Sequence, residues 1–350
     1  CDPGFIAAFG LEPSHGRPLE LEGFTLVQAS STTLPGLKRQ PGADVTGRLF
    51  EVPKGTVDVL RDVFSAGGWD LRAETSEANA PLFPLARRHG AFDRARWKTR
   101  SMPAWIAALP ELIFLRERFS PPEIAKRLPM ILSRGHSRER AAAAPRSDSS
   151  GFSRADVVVY RQNQPYTEYF AVKEYLVRHK TYSGSLTAPL ERAVFMAVDA
   201  VTVLPYDPVR DRILLVEQFR SGPFGRGDPH PWLLEPIAGR IEPGDTPEET
   251  AHKEAKEEAG LRLSTLHRIG EYYPSTGCFA EYLVSFVGIA DLPDGSEGLH
   301  GVDDEGEDIR TRLLSRSEFL AGIEAGEMPD GPLILSAYWL ELNRARLLAG

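Results

Sequence analysis

The chain has 350 residues, of which 42% are hydrophobic, and its formal net charge at pH 7 is −8. This length suggests about two domains, and the negative charge argues against a general nucleic-acid binder, because a phosphate backbone requires a basic protein face. No apolar run approaches the roughly 20 residues that a membrane helix requires, so no membrane partner is expected. Cys1 and Cys278 are the two cysteines, which predicts a reducing, cytoplasmic location rather than a disulfide framework.

The N-terminal part predicts a small domain followed by helices and a linker. Residues 18–64 alternate strand-like apolar runs with frequent turns. Residues 101–142 have helical character, with a break at Pro121–Pro122 because proline disrupts a helix interior. Residues 138–155 are small and polar without apolar periodicity, as linkers are. The predicted boundary between two domains therefore lies near residue 155.

The remainder of the chain alternates short apolar runs with turns and ends in two helical segments. The predicted strands are residues 155–162, 166–182, 195–207, 211–220, 231–238, 266–275 and 281–290. Residues 314–327 and 332–349 have helical spacing. This pattern predicts a mixed sheet sandwiched by helices, in the α/β (α+β) class.

One segment, residues 231–261, predicts a strand, a turn and a helix in close succession. Gly239 and Pro243–Gly244 are expected to turn the chain. Thr246 is a predicted N-cap, with Pro247 at the first helical position. Gly260 is a typical C-terminal stop for a helix.

The predicted helix carries three glutamates on one face. Glu254, Glu257 and Glu258 project together because residues three and four apart share a helix side. Like charges this close destabilise a helix unless cations lie between them, and clustered carboxylate oxygens suit Mg²⁺, with Mn²⁺ as a second possibility. The alternative is a solvated acidic helix, but the spacing together with the preceding turn favours a metal site.

The segment from Gly239 to Leu261 resembles the Nudix box, Gly-x5-Glu-x7-Arg-Glu-U-x-Glu-Glu-x-Gly-U, in which U is aliphatic. Two positions depart from the pattern: Asp245 replaces the usual Glu, and Lys253 replaces the usual Arg. Both keep their charge, but lysine cannot form the bidentate fork of arginine.

The similarity extends over nearly all of residues 165–345 and resembles the ADP-ribose pyrophosphatase subfamily of Nudix hydrolases. It rests on VLPYDPVRDRILLVEQFR, PWLLEPIAGRIEPGD and GLHGVDDEGEDIR. The resemblance implies a Nudix α/β/α sandwich with a mixed sheet. It also implies hydrolysis of ADP-ribose to AMP and ribose 5-phosphate. A homodimer is implied as well, in which N-terminal β-regions complete each other's adenosine pocket.

The same resemblance implies the catalytic and metal-binding groups. The metal ligands are the main-chain carbonyl of Ala238 and the carboxylates of Glu254 and Glu258, with Glu257 beside them. In the acidic loop 303–308, Glu305 aligns with the catalytic base, and Glu307 aligns with a second acid near the metals.

Five further positions resemble substrate contacts of the family. Arg220 matches an arginine near the phosphates and ribose, and Glu235 matches a glutamate on the ribose side. Arg192 lies in the region that meets the adenosine half, Arg178 is a candidate for the exchanged pocket, and Ser275 is in a loop near the site. For Arg178 and Arg192, ordinary surface charge is an equal alternative.

Residues 1–100 resemble a gamma-glutamylcyclotransferase-like domain, a small β-barrel with flanking helices, through LPGLKRQPGADVTGRLFEV. Two family features are missing, because the substrate loop would precede Cys1 and Ser65 stands where the catalytic acid is expected. Residues 101–154 are a predicted helical segment and linker, and residues 155–350 the predicted Nudix domain.

The leading hypothesis is a magnesium-dependent hydrolase of a nucleoside diphosphate sugar, most specifically ADP-ribose. Three alternatives remain open. In the first, the enzyme prefers another diphosphate, such as a GDP-sugar or NADH. In the second, the domain senses ADP-ribose with weak or no catalysis. In the third, the N-terminal domain is a working cyclotransferase, which the serine at position 65 disfavours.

Overall fold

The structure, a computed structural model, describes residues 3–29, 35–73, 82–86, 89–144, 151–301 and 306–348. The chain divides into two compact units, unit 1 (residues 1–193) and unit 2 (residues 194–350). The predicted strands between residues 155 and 182 thus pack within unit 1, so the domain boundary at 154/155 stays a prediction. None of the helices described is long and apolar enough to cross a membrane.

The described part of unit 1 contains two sheets and five α-helices. Its strands are β1 (Arg17–Ala29), β2 (Pro35–Leu49), β3 (Trp69–Ala73), β4 (Leu82–Ala86), β5 (His89–Ala91), β6 (Val157–Thr167), β7 (Ala171–His179) and β8 (Leu190–Met196), the last of which ends in unit 2. Its helices are α1 (Pro3–Ala7), α2 (Lys54–Ala66), α3 (Arg94–Arg96), α4 (Met102–Leu115) and α5 (Pro121–Ala143).

The first sheet has the strand order β3-β4-β2-β1-β5, and the second has the order β6-β7-β8. β1 and β2 form a long antiparallel hairpin with a register shift between Glu22 and Phe24. In the described part of unit 1, β3 and β5 are the edges of the first sheet. The closed barrel expected for residues 1–100 is therefore not confirmed.

Residues 54–66 form helix α2, where strand-like runs were expected. The reason is the spacing of three and four between Val59, Val63 and Ala66, which places these side chains on one face. Val63 and Ala66 are buried, and Val59 packs against the same core. The helical spacing of the apolar residues therefore determines the secondary structure of this segment, although its β-branched composition favours a strand.

Helices α4 and α5 meet at the predicted break. Helix α5 begins at Pro121 behind a capping box formed by Ser120 and Glu123. Leu109, Leu112 and Leu128 pack in the core between the two helices and their neighbours. Because α5 continues to Ala143, helix occupies the first residues of the predicted linker.

A buried polar network joins this helical pair to the β6–β7 hairpin. Glu111 accepts hydrogen bonds from Arg134, with Nη2–Oε1 at 2.7 Å, and from Arg138, with Nη1–Oε2 at 3.1 Å. Gln164 of β6 also donates to Glu111, and Lys173 of β7 is buried nearby. Burial alone would raise the pKa of Glu111, but Arg134, Arg138 and Lys173 hold it below its ordinary value.

Unit 2 contains eight strands, and four helices among its described residues. The strands are β9 (Asp199–Asp207), β10 (Arg212–Phe219), β11 (Trp232–Glu235), β12 (Ile237–Arg240), β13 (Thr265–Tyr272), β14 (Tyr282–Ile289), β15 (Leu299–His300) and β16 (Ile309–Ser315). The helices are α6 (Ser221–Arg226), α7 (Pro247–Ala259), α8 (Arg316–Ala325) and α9 (Gly331–Leu348).

These strands form one mixed sheet, as predicted. The main path runs β13-β14-β9-β10-β16-β15, with β11 paired to β10 and β12 paired to β9. β14 is parallel to β9, whereas β10 and β12 are antiparallel to it. Strand β16 was not predicted, and it lies between β10 and β15 in the sheet.

The sheet lies between α7 on one face and α8 with α9 on the other. Successive residues of β9 point to opposite faces of the sheet. Val203 packs in the cluster that contains Ala255 of α7. Leu204 packs in the cluster that contains Phe319 of α8 and Leu333 of α9. The expected α/β/α layering is thus present in unit 2.

Candidate active site

Helix α7 forms where the sequence predicted it, and local signals explain both of its ends. The Thr246 side chain accepts a hydrogen bond from the Glu249 backbone N–H at 3.2 Å, and Glu249 completes the capping box. Gly260 ends the helix in the left-handed conformation with φ 64°, where a Cβ would be strained. These caps fix the register of the three glutamates on the helix.

Strand β12 brings its backbone against the buried end of α7. Glu258 is only 3% exposed, and its Oε2 accepts a hydrogen bond from the Ala238 N–H at 3.1 Å. Burial raises the pKa of Glu258 to about 8, the Ala238 hydrogen bond acts against this, and Glu254 and Glu307 raise it further. Glu258 is therefore a buried carboxylate with two acidic neighbours.

Glu254 lies directly against Gly239 of β12. A Cβ added to Gly239 would be 2.1 Å from Glu254 Cδ, which is closer than two non-bonded carbon atoms can approach. Gly239 lies within the strand and has no positive φ. Its expected role as a turn is therefore wrong, whereas Gly244, with φ 98°, lies in the turn that was also expected there.

Lys253 and Glu257 lie on the more exposed side of α7. The Lys253 Nζ is 3.7 Å from Glu242 Oε1 and 3.9 Å from Glu257 Oε2. Burial lowers the pKa of Lys253, but Glu242, Glu254, Glu257 and Asp245 together raise it above its ordinary value. Lysine thus places a positive charge among four acidic side chains, including the aspartate that replaces the usual glutamate.

The chemistry of these groups fits a divalent cation. Glu258 has low exposure and repulsive acidic neighbours, so a cation would relieve the electrostatic cost of ionising it. Glu254 and Glu307 are the acids that act on it. Within the described ranges, no three acidic, histidine or cysteine side chains converge tightly enough to hold a metal ion, and the position of Glu305 falls outside those ranges. The predicted ligand set therefore stays a prediction.

Arg220 and Glu235 form an ion pair at the side of this site. The Nε–Oε2 distance is 2.7 Å, and the Glu235 side chain is 9% exposed. Burial raises the pKa of Glu235, while Arg220 acts to lower it. Arg220 also lowers the pKa of Glu258. The structure thus brings together the two residues that the resemblance placed near phosphates and ribose.

Two acids that the sequence analysis missed also face Arg220. Burial raises the pKa of Glu281 to about 7, and Arg220 acts to lower it. Burial also raises the pKa of Asp330, whose carboxylate accepts a hydrogen bond from the Leu333 N–H at the start of α9. A single acid before an apolar strand and a single N-cap aspartate give no functional pattern, so only the fold reveals that both approach Arg220.

A chain of hydroxyl groups lies beside these acids. Ser285 Oγ is 2.6 Å from Thr202 Oγ1 and 3.0 Å from the Tyr272 hydroxyl. Burial raises the pKa of Tyr272, the hydrogen bond to Ser285 lowers it, and Asp330 and Glu281 raise it. Beside Arg220 the structure therefore places two half-buried acids and a chain of hydroxyl groups that bond to one another, of which Thr202 and Ser285 are buried.

The other predicted residues are distributed more widely. Ser275 is exposed in the loop between β13 and β14. Arg178 and Arg192 belong to unit 1. Arg178 Nε donates to the Thr187 carbonyl at 2.6 Å, and Arg192 is exposed and donates to the Glu191 carbonyl. Their predicted substrate contacts stay predictions.

Comparison with known proteins matches residues 196–334 to the NUDIX domain family model. An ADP-ribose pyrophosphatase of Escherichia coli (strain K12) is 34% identical over 196 residues, which cover 56% of this chain and 93% of that protein. A GDP-mannose pyrophosphatase of Escherichia coli O1:K1 / APEC is 31% identical over 153 residues, covering 44% of this chain and 78% of that protein.

One solved structure, described as "Crystal structure of ADP compounds hydrolase", is 20% identical with a TM-score of 0.40. The match covers 53% of this chain and 95% of that one.

Proposed function

This chain belongs to the Nudix hydrolase family, and we propose that it hydrolyses the diphosphate bond of ADP-ribose, giving AMP and ribose 5-phosphate. The observation that carries the proposal is the buried carboxylate of Glu258, held by the Ala238 N–H beside Glu254 and Glu307. The similarity to ADP-ribose pyrophosphatases over 93% of their length supports the substrate.

We propose Mg²⁺ as the cofactor, with Mn²⁺ as a substitute. Glu254, Glu258 and the Ala238 carbonyl would hold it, with Glu257 and Glu307 beside them. When bound, such an ion neutralises diphosphate charge and acidifies a water molecule. Glu258 keeps one carboxylate oxygen on the Ala238 N–H, which orients the other oxygen for ligation.

The remaining residues would accept a proton, bind a phosphate and bind the sugar. Glu305 would accept the proton of the attacking water, since a loop can bring a base to its position after substrate binds. Arg220 would bind a phosphate, with Glu235 holding its guanidinium through the 2.7 Å ion pair. Glu281 and Asp330 would accept hydrogen bonds from sugar hydroxyls, because carboxylates are strong acceptors.

A GDP-sugar is the second candidate substrate, favoured by the 31% identity to a GDP-mannose pyrophosphatase. Both substrates would present a diphosphate to the same carboxylates and a sugar to Glu281 and Asp330. The base distinguishes them, so a direct comparison of the two compounds decides between them.

The test is AMP release from ADP-ribose with Mg²⁺, with GDP-mannose measured in parallel. Glu305→Gln should lower kcat by at least about 10²-fold, the lower range for losing a group that acts in proton transfer. Glu258→Gln should lower kcat at least as much, because it removes a proposed metal ligand. Glu248→Gln is the matched control, because Glu248 lies on the same helix but pairs with Arg268 at the surface. Tight ADP-ribose binding without turnover would instead indicate a sensor.

We further propose a homodimer that forms through strand β6. This strand is an edge of its sheet, and Val158, Val159 and Tyr160 are 40%, 48% and 56% exposed. Adjacent apolar side chains on an exposed edge are a typical protein interface. Sedimentation should give twice the chain mass, and Val159→Lys should give the monomer.

For residues 1–100 we propose a gamma-glutamylcyclotransferase-like domain without that activity, and for the whole protein a cytoplasmic location. Ser65 on α2 stands where the family has its catalytic acid. The absence of 5-oxoproline release from gamma-glutamyl amino acids would agree with this proposal, and its release would contradict it.

A further inference from the structure

A large cavity lies within unit 1, formed by residues that are distant in sequence from the carboxylates of α7. Its volume is about 1330 Å³. Small-molecule sites usually measure roughly 300–1,000 Å³, and close-packed protein interiors contain few voids larger than a water molecule. An opening of this size is therefore a candidate ligand site and not a packing irregularity.

One wall of the cavity is formed by the β1–β2 hairpin. Leu19 is paired with Gly47, and Leu21 is paired with Val45; all four line the cavity. Residues two apart on a strand share a face. Val45, Gly47 and Leu49 are half-buried, whereas Thr46 and Arg48 between them are exposed and also border the cavity.

The opposite wall comes from helices α1 and α2 and from the segment after β5. Phe5 of α1 and Phe9, two residues after the end of that helix, are buried and contact each other edge to face, with ring centroids 5.4 Å apart. Trp97 packs on Phe5 at 5.7 Å. Leu60 and Phe64 of α2 complete this wall. Both walls are thus made of large apolar side chains.

Uncharged hydrogen-bonding side chains are almost missing from the described lining. Apart from the Trp97 indole, Thr46 is the uncharged polar side chain among the described residues that line the cavity. A ligand body rich in hydroxyl or amide groups would lose its hydrogen bonds to water here, at an unfavourable free energy. The body of the ligand is therefore hydrocarbon.

Charged residues in the lining are mostly basic. The cations are Arg17, Arg48, Arg94 and Lys98, and the acid is Glu51. All four cations are exposed; Arg17 pairs with Glu51 at 3.3 Å, which leaves an excess of positive charge. An exposed cation beside an apolar cavity favours a ligand with an anionic head at the solvent end.

We propose that this cavity binds a single-chain amphipathic anion, a carboxylate with a medium or long hydrocarbon tail. The tail lies between the hairpin and the helices, and the carboxylate is held by Arg94 and Lys98. The proposal concerns unit 1 alone and does not depend on hydrolysis by unit 2.

Binding of dodecanoate to the full-length protein, measured by calorimetry below its micelle concentration, tests the proposal. One equivalent should bind. Butyrate has the head without the tail, and dodecyltrimethylammonium has the tail with the opposite charge, so both should bind at least about tenfold more weakly. Equal affinity for dodecanoate and dodecyltrimethylammonium would contradict the proposal that the ligand is an anion.

Two variants locate the site. A Cβ at Gly47 meets no atom within 4 Å, so Gly47→Phe can fill the cavity and should abolish binding. Gly55→Phe is the matched control, because Gly55 is equally open but does not line the cavity. Arg94→Glu/Lys98→Glu should weaken binding by at least about tenfold without filling any space.

Circular dichroism establishes that each variant is folded before its binding is compared. Failure of the folded wild type to bind dodecanoate would overturn the proposal and indicate that the chain itself or a second copy fills the cavity. Undiminished binding by both folded variants would overturn it as well.

Discussion

The carboxylate of Glu254 occupies the space that a side chain at Gly239 would need. A Cβ at this position would lie 2.1 Å from Glu254 Cδ and 2.2 Å from Oε1. The glycine that begins the motif therefore makes room for a predicted metal ligand. Its conformation alone would not require glycine, because it lies in strand β12 without a positive φ.

Gly239→Ala should displace Glu254 while leaving the fold intact, because the end of a glutamate side chain can rotate away. A shift of about 1 Å in a catalytic constellation can lower the rate about 10²-fold, and we expect a loss of kcat/KM of that order. AMP release and thermal unfolding measure the two effects. Gly270→Ala is the control, since a Cβ there meets no atom within 4 Å. Wild-type kcat/KM in Gly239→Ala would contradict the steric argument.

The stability of unit 2 should depend on pH and Mg²⁺ together. Burial raises the pKa of Glu258 to about 8 from an ordinary value of 4.5, so the folded state binds more protons than the unfolded state between these values. Without divalent ions, stability should therefore fall as pH rises from 4.5 to about 8. Mg²⁺ should raise the melting temperature more at pH 8 than at pH 5, because it replaces the proton.

Scanning calorimetry with Mg²⁺ or with a chelator measures this effect. Glu258→Gln removes the titrating group, so this variant should lose most of the pH-dependent part of the Mg²⁺ stabilisation. Equal stabilisation by Mg²⁺ at both pH values in the wild type would be evidence against ligation by Glu258.

Arg220 should increase the affinity for substrate and stabilise the acidic side chains around it. Arg220→Gln leaves Glu235 buried without its 2.7 Å ion pair and removes the cation that faces Glu281 and Asp330. A charge-assisted hydrogen bond contributes roughly 1.5–3 kcal/mol, so KM should rise by about tenfold or more. Arg226→Gln is the control, because that side chain is 82% exposed and pairs with Asp228. An unchanged KM in Arg220→Gln would exclude a phosphate contact.

Local sequence signals explain what could be predicted of this site. Helix α7 begins behind Thr246 and ends before Gly260 as expected, because a capping box and a left-handed glycine act within a few residues. The grouping of Glu254 and Glu258 on that helix follows from the same periodicity. The resemblance placed Arg220 and Glu235 near the substrate, but it did not predict that they form an ion pair.

Long-range pairing explains what could not be predicted. Strand β16 is not recognisable as a separate strand until Thr311 pairs with Val216 in the sheet. Glu281, just before β14, and Asp330, just before α9, interact electrostatically with Arg220 only because the folded chain brings these distant segments together. Helix α2 was missed for a different reason, since the β-branched residues Val57, Val59 and Val63 favour strand by composition.

The network around Glu111 should dominate the stability of unit 1. Both partners are almost completely buried, with side-chain exposures of 1% for Glu111 and 0% for Arg134. Glu111→Gln keeps the shape but leaves Arg134 and Arg138 without a counter-charge, and breaking a buried pair destabilises by about 3–5 kcal/mol. Urea unfolding followed by tryptophan fluorescence measures the loss, because Trp69, Trp97 and Trp105 are buried in unit 1. The pKa of Glu111 in the folded state is below its ordinary value of 4.5. The stabilisation by Glu111 is therefore present above pH 4.5 and is lost as the pH falls through the folded-state pKa. The difference in unfolding free energy between wild type and variant should accordingly shrink in acid.

The exposed Glu117→Gln serves as control, and equal unfolding free energies for the two variants at pH 7 would show that the network is not stabilising.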